Sequence, residues 1–245
     1  MILPNPKDAI HKAWLFRTLT GISDDAFIAS RIAFKGGTCA AMLGLLDRFS
    51  VDLDFDFTGE KKDIPETRRR MEIIFRNLSL IVRDQSKVAL QYFLKYEAKE
   101  GERNTLKVDA TFPPPKSNRY EARRFSEIDR IIFCQTPDTM LANKLVALMD
   151  RYDKHESIAG RDVYDIRHFF LNGLRYNEEV IRERTGKDTD IFFADLIKFI
   201  ETHVTDKVIN QDLNVLLPYD TFSRVRKTLK REMLMLLRDE LARIS

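Results

Sequence analysis

The chain has 245 residues, a 44% hydrophobic fraction and a net charge of +3, from 41 Lys and Arg against 38 Asp and Glu. That composition excludes disorder as the main state, and so even a charge balance does not by itself mark a nucleic-acid binder. Nine glycines and eight prolines favour long elements over a turn-rich β-sandwich, and Cys39 and Cys134 make neither a disulfide framework nor a zinc set.

The segment Met1–Asp8 lacks the charged start and apolar stretch of a signal peptide, and no apolar run approaches the ~18 residues of a membrane span. The expectation is a soluble cytoplasmic protein with no membrane partner. The first thirty residues read as helical. Ile32-Ala33-Phe34 is a short buried strand, followed by Lys35-Gly36-Gly37-Thr38 and a short apolar helix from Cys39 to Leu46. In VDLDFDF, Val51, Leu53, Phe55 and Phe57 alternate with Asp52, Asp54 and Asp56, the period-two pattern of a half-buried strand.

Pro65 opens a helix predicted to run through about Val82, striped by Met71, Ile74, Phe75, Leu78 and Ile81. Alternation at Val88–Tyr96 and again at Leu106–Phe112 predicts a β-hairpin with a longer loop, and Pro113-Pro114-Pro115 is expected to end the sheet. A short strand, Ile131–Cys134, precedes Thr136-Pro137, which suit the cap and first position of a helix. Helices follow to the end, with breaks near Gly160, Gly173, Gly186 and Pro218. The expected fold is α+β: a sheet domain over residues 1–135 and a helical domain over 136–245 that completes an active-site cleft.

Side chains at i and i+2 of a strand share a face, so Asp52 and Asp54 project together while Leu53 and Phe55 enter the core. Two carboxylates so placed can bridge hard cations in phosphoryl and nucleotidyl transfer; the alternative is a solvated sheet face. Asp109, on the polar face of its own strand with Lys107 and Thr111, supplies a third carboxylate if the two strands are neighbours. Lys35-Gly36-Gly37-Thr38 lies at a strand-to-helix junction, where glycines let a ligand approach the backbone, although the motif is not a Walker A. Lys144 rides the shoulder of the stripe Leu141, Leu145 and Leu148, where a lysine either snorkels to solvent or holds phosphates. Asp162 and Asp165 share a face in the first turn of a helix, where acids also complement the dipole. His11, His155, His168 and His203 show no ligand spacing and are read as structural or surface residues.

Taken in order, Phe34-Lys35-Gly36-Gly37-Thr38, Arg48-Phe49-Ser50-x-Asp52-x-Asp54-Phe55, Lys144 and Arg161-Asp162-x-Tyr164-Asp165 resemble the AbiEii/AbiGii toxin family over about residues 31 to 170. The resemblance implies the polymerase-beta type of nucleotidyltransferase fold and the toxin half of a type IV toxin–antitoxin or abortive-infection pair. It also implies transfer of a nucleoside monophosphate from an NTP to RNA, with the tRNA acceptor end as the expected target and an antitoxin encoded by a neighbouring gene as partner. Asp52, Asp54 and Asp109 would bind two Mg²⁺ ions, with Mn²⁺ as an alternative. Lys35, Gly36, Gly37, Thr38, Arg48 and Ser50 would cradle the nucleotide, with Lys144 on the triphosphate. Asp162 would be a late acidic residue of the active site, and Asp165 a nucleotide-side neighbour. Val51 stands where the family often carries an acid. A small-molecule or protein acceptor, or a non-catalytic scaffold that binds nucleotide or a partner, are the alternatives. The tail from Thr221 to Ser245 carries seven bases against three acids, a candidate RNA surface or the solvated face of an amphipathic helix.

Overall fold

The computed structural model describes residues 1–244; Ser245, the end of the basic tail, lies outside the described residues. The chain divides into two compact units, one of Met1–Pro114 with Arg119–Thr136, the other of Pro115–Asn118 with Pro137–Ser245.

The first unit runs α1 (Asp8–Asp24), α2 (Ala26–Ala29), β1 (Ile32–Lys35), α3 (Gly36–Met42), β2 (Asp52–Phe57), a 3₁₀ turn at Lys61–Asp63, α4 (Ile64–Asn77), β3 (Ile81–Gln85), β4 (Leu90–Lys95), β5 (Thr105–Thr111), β6 (Tyr120–Phe125) and β7 (Arg130–Gln135). The strands form one mixed sheet in the order β3-β4-β5-β2-β1-β7-β6. β2 lies near its middle, antiparallel to β1 and parallel to β5. Its apolar residues Leu53, Phe55 and Phe57 are fully buried, and Phe55 and Phe125 close on Phe34 with ring centroids 5.3 and 5.6 Å away. Helix α1, which buries Leu15, Leu19 and Ile22, packs on β2, β5 and β7.

Three elements depart from the sequence expectation. The helix expected to reach Val82 stops at Asn77, because Leu78 and Ser79 close it, the latter with a left-handed φ of 58°. Ile81 and Val82 then pair with Lys95 and Leu94 as part of β3. Ile81 fits both periods, and the available strand edge at β4 decides between them. The three prolines end β5 but not the sheet, since β6 and β7 continue it on the far side of β1. Finally, α3 starts at Gly36 rather than at Cys39.

The second unit is helical: α5 (Pro137–His155), α6 (Gly160–Leu171), α7 (Glu178–Thr185), α8 (Thr189–His203), α9 (Asp206–Leu213), α10 (Tyr219–Val225) and α11 (Leu229–Ile244). Helix α5 packs on α6 and α7, and α11 on α6 and α8. The α5 stripe Leu141, Leu145 and Leu148 is fully buried. Gly160 lets the start of α6 approach α9, since a Cβ there would sit 2.7 Å from the Val208 carbonyl oxygen. Among the described residues, no helix is long and apolar enough to cross a membrane.

Candidate active site

The alternation of β2 places Asp52, Asp54 and Asp56 on the face opposite Leu53, Phe55 and Phe57. Register then decides what each acid meets. Asp54 is level with Asp109 on β5 and with Lys35 on β1, while Asp52 is level with Lys107. Register partners share a sheet face, so the three carboxylates of Asp52, Asp54 and Asp109 belong to one surface. One oxygen of Asp109 accepts hydrogen bonds from Lys107 Nζ at 2.6 Å and Gln91 Nε2 at 3.0 Å. Burial and the neighbouring charge of Asp52 push the Asp54 carboxyl up to about 6; Lys35 and Lys107 oppose the shift, and Asp109 adds to it.

The glycine pair brings the strand-to-helix junction against these acids. Gly36 has a φ of 78°, and a Cβ there would strike the Asp54 carboxylate and lie 2.9 Å from the Asp54 Cβ. A Cβ on Gly37 would lie 2.8 Å from both Arg48 Nη2 and Ser50 Oγ. Glycine at both positions is therefore what allows Asp54, Arg48 and Ser50 to close on the junction. Thr38 is buried, and its hydroxyl donates to the Asp52 carbonyl at 2.5 Å, which anchors the start of β2 to α3. Arg48 is buried beside it and donates to the Phe49 carbonyl at 2.7 Å. On the other side of Asp52, His11 Nε2 bonds the Val51 carbonyl at 2.8 Å, and burial lowers the imidazole to about 4. The core histidine thus fixes the main chain beside the first acid.

Lys35 Nζ donates to Asp56 Oδ1 at 2.6 Å and to the Thr111 hydroxyl at 2.7 Å. The second Asp56 oxygen accepts from the Tyr120 hydroxyl at 2.9 Å and Gln135 Nε2 at 2.7 Å. Tyr120 and Gln135, like Gln91, are missing from the sequence expectation, which places Lys107 and Thr111 only as neighbours of Asp109. The polar faces of β4 and β5 held the signal for Gln91 and Lys107, whereas β6, the strand of Tyr120, has no alternation to betray it.

In the helical unit, Lys144 reaches the fully buried Asp165 at 2.5 Å and Asp162 at 3.4 Å. Arg151 lies 3.6 Å from the second Asp162 oxygen, which has no hydrogen-bond partner. The lysine therefore does not snorkel: the i, i+3 pair on α6 captures it. In the basic tail, Arg238 pairs with Glu201 at 2.5 Å and Arg243 with Glu240, so part of its charge is met within the unit. The sequence-predicted residues thus fall into two groups. Lys35, Gly36, Gly37, Thr38, Arg48, Ser50, Asp52, Asp54 and Asp109 belong to the sheet unit, and Lys144, Asp162 and Asp165 to the helical unit.

Among the described residues, no three His, Cys, Asp or Glu side chains are gathered into a ready metal cluster. The donor chemistry nevertheless fits a hard divalent cation: carboxylate oxygens of Asp52 and Asp54 on one face, with Asp109 in register. The raised pKa of Asp54 reflects burial first and the neighbouring charge of Asp52 second, and a cation would relieve the second.

The chain is a nucleotidyltransferase, and its family is what shows it. The model of the family described as nucleotidyl transferase AbiEii toxin, type IV toxin–antitoxin system, matches residues 17–232, and the chain belongs to that family. A putative nucleotidyltransferase from Helicobacter pylori shares the fold with a TM-score of 0.61 and 19% identity, covering 98% of this chain and 99% of that one. JHP933, also from H. pylori, has a TM-score of 0.57 at 19% identity over 99% and 96% of the two chains. MenT4, a nucleotidyltransferase toxin from Mycobacterium tuberculosis, has a TM-score of 0.53 at 17% identity over 96% and 92%. No curated protein matches the chain in sequence. Family membership makes an NTP the substrate and an antitoxin the partner.

Proposed function

We propose that this chain transfers a nucleoside monophosphate from an NTP to an RNA hydroxyl, most specifically at the tRNA acceptor end, and so blocks translation. The observation that carries this reading is the register of β2 and β5, which sets Asp109 level with Asp54 beside the Gly36–Gly37 junction. Gly36 and Gly37, with no side chains of their own, let Asp54, Arg48 and Ser50 close on the junction, and Arg48 and Ser50 would supply a cation and a hydroxyl for phosphate oxygens. Thr38 serves the site by holding Asp52, and Lys35 contributes positive charge at the edge of the acidic face. Asp109, once released from Lys107, is the carboxylate assigned to accept the proton of the attacking hydroxyl. Mg²⁺ held by Asp52, Asp54 and Asp109 would neutralise the triphosphate and acidify that hydroxyl. In the helical unit, Lys144 is the proposed phosphate partner, with Asp162 the late acidic residue and Asp165 the carboxylate that holds the ammonium. A cytoplasmic setting follows from an RNA acceptor and an NTP donor.

The test is incubation of the purified chain with each labelled NTP, Mg²⁺ and total tRNA. Label should pass to tRNA with at least one nucleotide, and transfer should fall steeply with salt, as binding to a polyanion demands. Asp52→Asn should remain folded and lose at least about a hundredfold in rate, because it removes a charged ligand. No transfer by the folded wild-type chain with any of the four nucleotides overturns the proposal.

A further inference from the structure

Three of the acids on β2 share a face, yet they differ in what holds them. Lys35 is the register partner of Asp54, so its side chain starts beside that carboxylate. Its ammonium nevertheless reaches diagonally to Asp56, two residues further along β2. The diagonal is open because the register partner of Asp56 on β1 is Ala33, whose methyl leaves room for the lysine. On the other flank, the register partner of Asp56 is Thr111, whose hydroxyl accepts a second hydrogen bond from the same ammonium. Asp56 itself is completely buried and fixed from behind by Tyr120 and Gln135. Among the described residues, no hydrogen bond or ion pair engages the Asp54 carboxylate.

We propose that Asp56 is a positioning residue that draws the Lys35 ammonium away from Asp54 and so keeps Asp54 open to a divalent cation. This rests on the reading of Asp52, Asp54 and Asp109 as the metal-binding acids. Lys35 carries the one positive charge that starts level with Asp54 on β1, and a lysine paired to that carboxylate would compete directly with a cation. Asp56 with Thr111 gives the ammonium a better-satisfied position one diagonal away. The acid at 56 then acts through Lys35, and its own oxygens take no part in the cation shell.

Direct Mn²⁺ binding to the full chain without nucleotide, read by calorimetry or electron paramagnetic resonance, tests this independently of turnover. Asp56→Asn should weaken Mn²⁺ roughly tenfold, because the freed ammonium falls back on Asp54. Adding Lys35→Met to that variant should restore affinity to within about threefold of wild type, which loss of packing alone would not do. An Asp56→Asn affinity within about twofold of wild type, or a double variant as weak as the single one, overturns the proposal. Should Asp56→Asn fail to fold, Thr111→Val carries the test: a loss of about two- to threefold, reversed by Lys35→Met, supports the proposal, and an unchanged affinity overturns it. Wild-type chain that binds no Mn²⁺ overturns the metal reading and this proposal together. Wild-type binding that Asp56→Asn leaves intact overturns this proposal alone.

Discussion

Asp52 and Asp54 on β2, and Asp162 and Asp165 on α6, are two acid pairs built by the same rule, each at the spacing that puts both carboxylates on one face. What differs is the element packed beside them. The strand pair is level with Lys107 and Asp109 on β5, whereas the helix pair is met by Lys144 from α5. Spacing within an element fixes the face, and the neighbouring element decides which charges that face meets. The contrast separates an acidic face joined by a third acid in register from a pair that one lysine holds.

The largest expected effect breaks the helical pair. Lys144→Met leaves the fully buried Asp165 without its ammonium, and removing one partner of a buried pair costs about 3 kcal/mol. Thermal unfolding should drop by roughly 6–12 °C, and adding Asp165→Asn should recover most of the loss. A drop no larger than that of an exposed lysine would show that the helical pair is not held from α5.

A smaller effect compares glycines in the two units. Gly36 and Gly186 both have positive φ, at 78° and 68°, but only Gly36 has a neighbour in the path of a Cβ. Gly186→Ala should cost about 1 kcal/mol of backbone strain and leave transfer intact. Gly36→Ala carries the same strain and also displaces Asp54, so transfer should fall by roughly a hundredfold or more. Equal loss of activity in both variants would remove the close approach from the mechanism.

The smallest effect concerns pH. The folded pKa of Asp54, about 6, stands above its usual value of 3.8. Folding therefore retains a proton there, so the stabilising contribution is full below the usual value and is lost as pH rises through 6. The melting temperature of metal-free chain should decline across that window, and Asp54→Asn should flatten the decline. Added Mg²⁺ should restore stability mainly above pH 6, where the carboxylate is charged. A metal-free profile identical in wild type and Asp54→Asn would remove the excess charge from Asp54.

The same contrast explains what could be read from sequence. Strict alternation exposed β2, β4 and β5, and the shared face of Asp52 and Asp54 follows from it directly. The level pairing of Asp54 with Asp109 did not, because parallel strands β2 and β5 are joined through a long intervening segment and no local turn fixes their register. Strand β6 is not legible in the sequence because Tyr120-Glu121-Ala122-Arg123-Arg124-Phe125 sits at a sheet edge and needs no apolar face along its length. The tie from Asp56 to Tyr120 and Gln135 goes with it. In the helical unit, Leu141, Leu145 and Leu148 declared the buried stripe, but the capture of Lys144 depends on how α5 meets α6.

The strand order has a consequence for biosynthesis. β2 needs β5 as one neighbour, and β1 needs β7 as the other, so the residues flanking Asp54 are gathered from distant parts of the chain. A ribosome that has released only the first hundred residues has delivered Asp52, Asp54 and the glycine junction, but neither Asp109 nor Gln135. Long-range strand pairing of this kind forms late. On the proposed reading of Asp109, a chain interrupted before β5 lacks the third carboxylate of the acidic face and should transfer nothing.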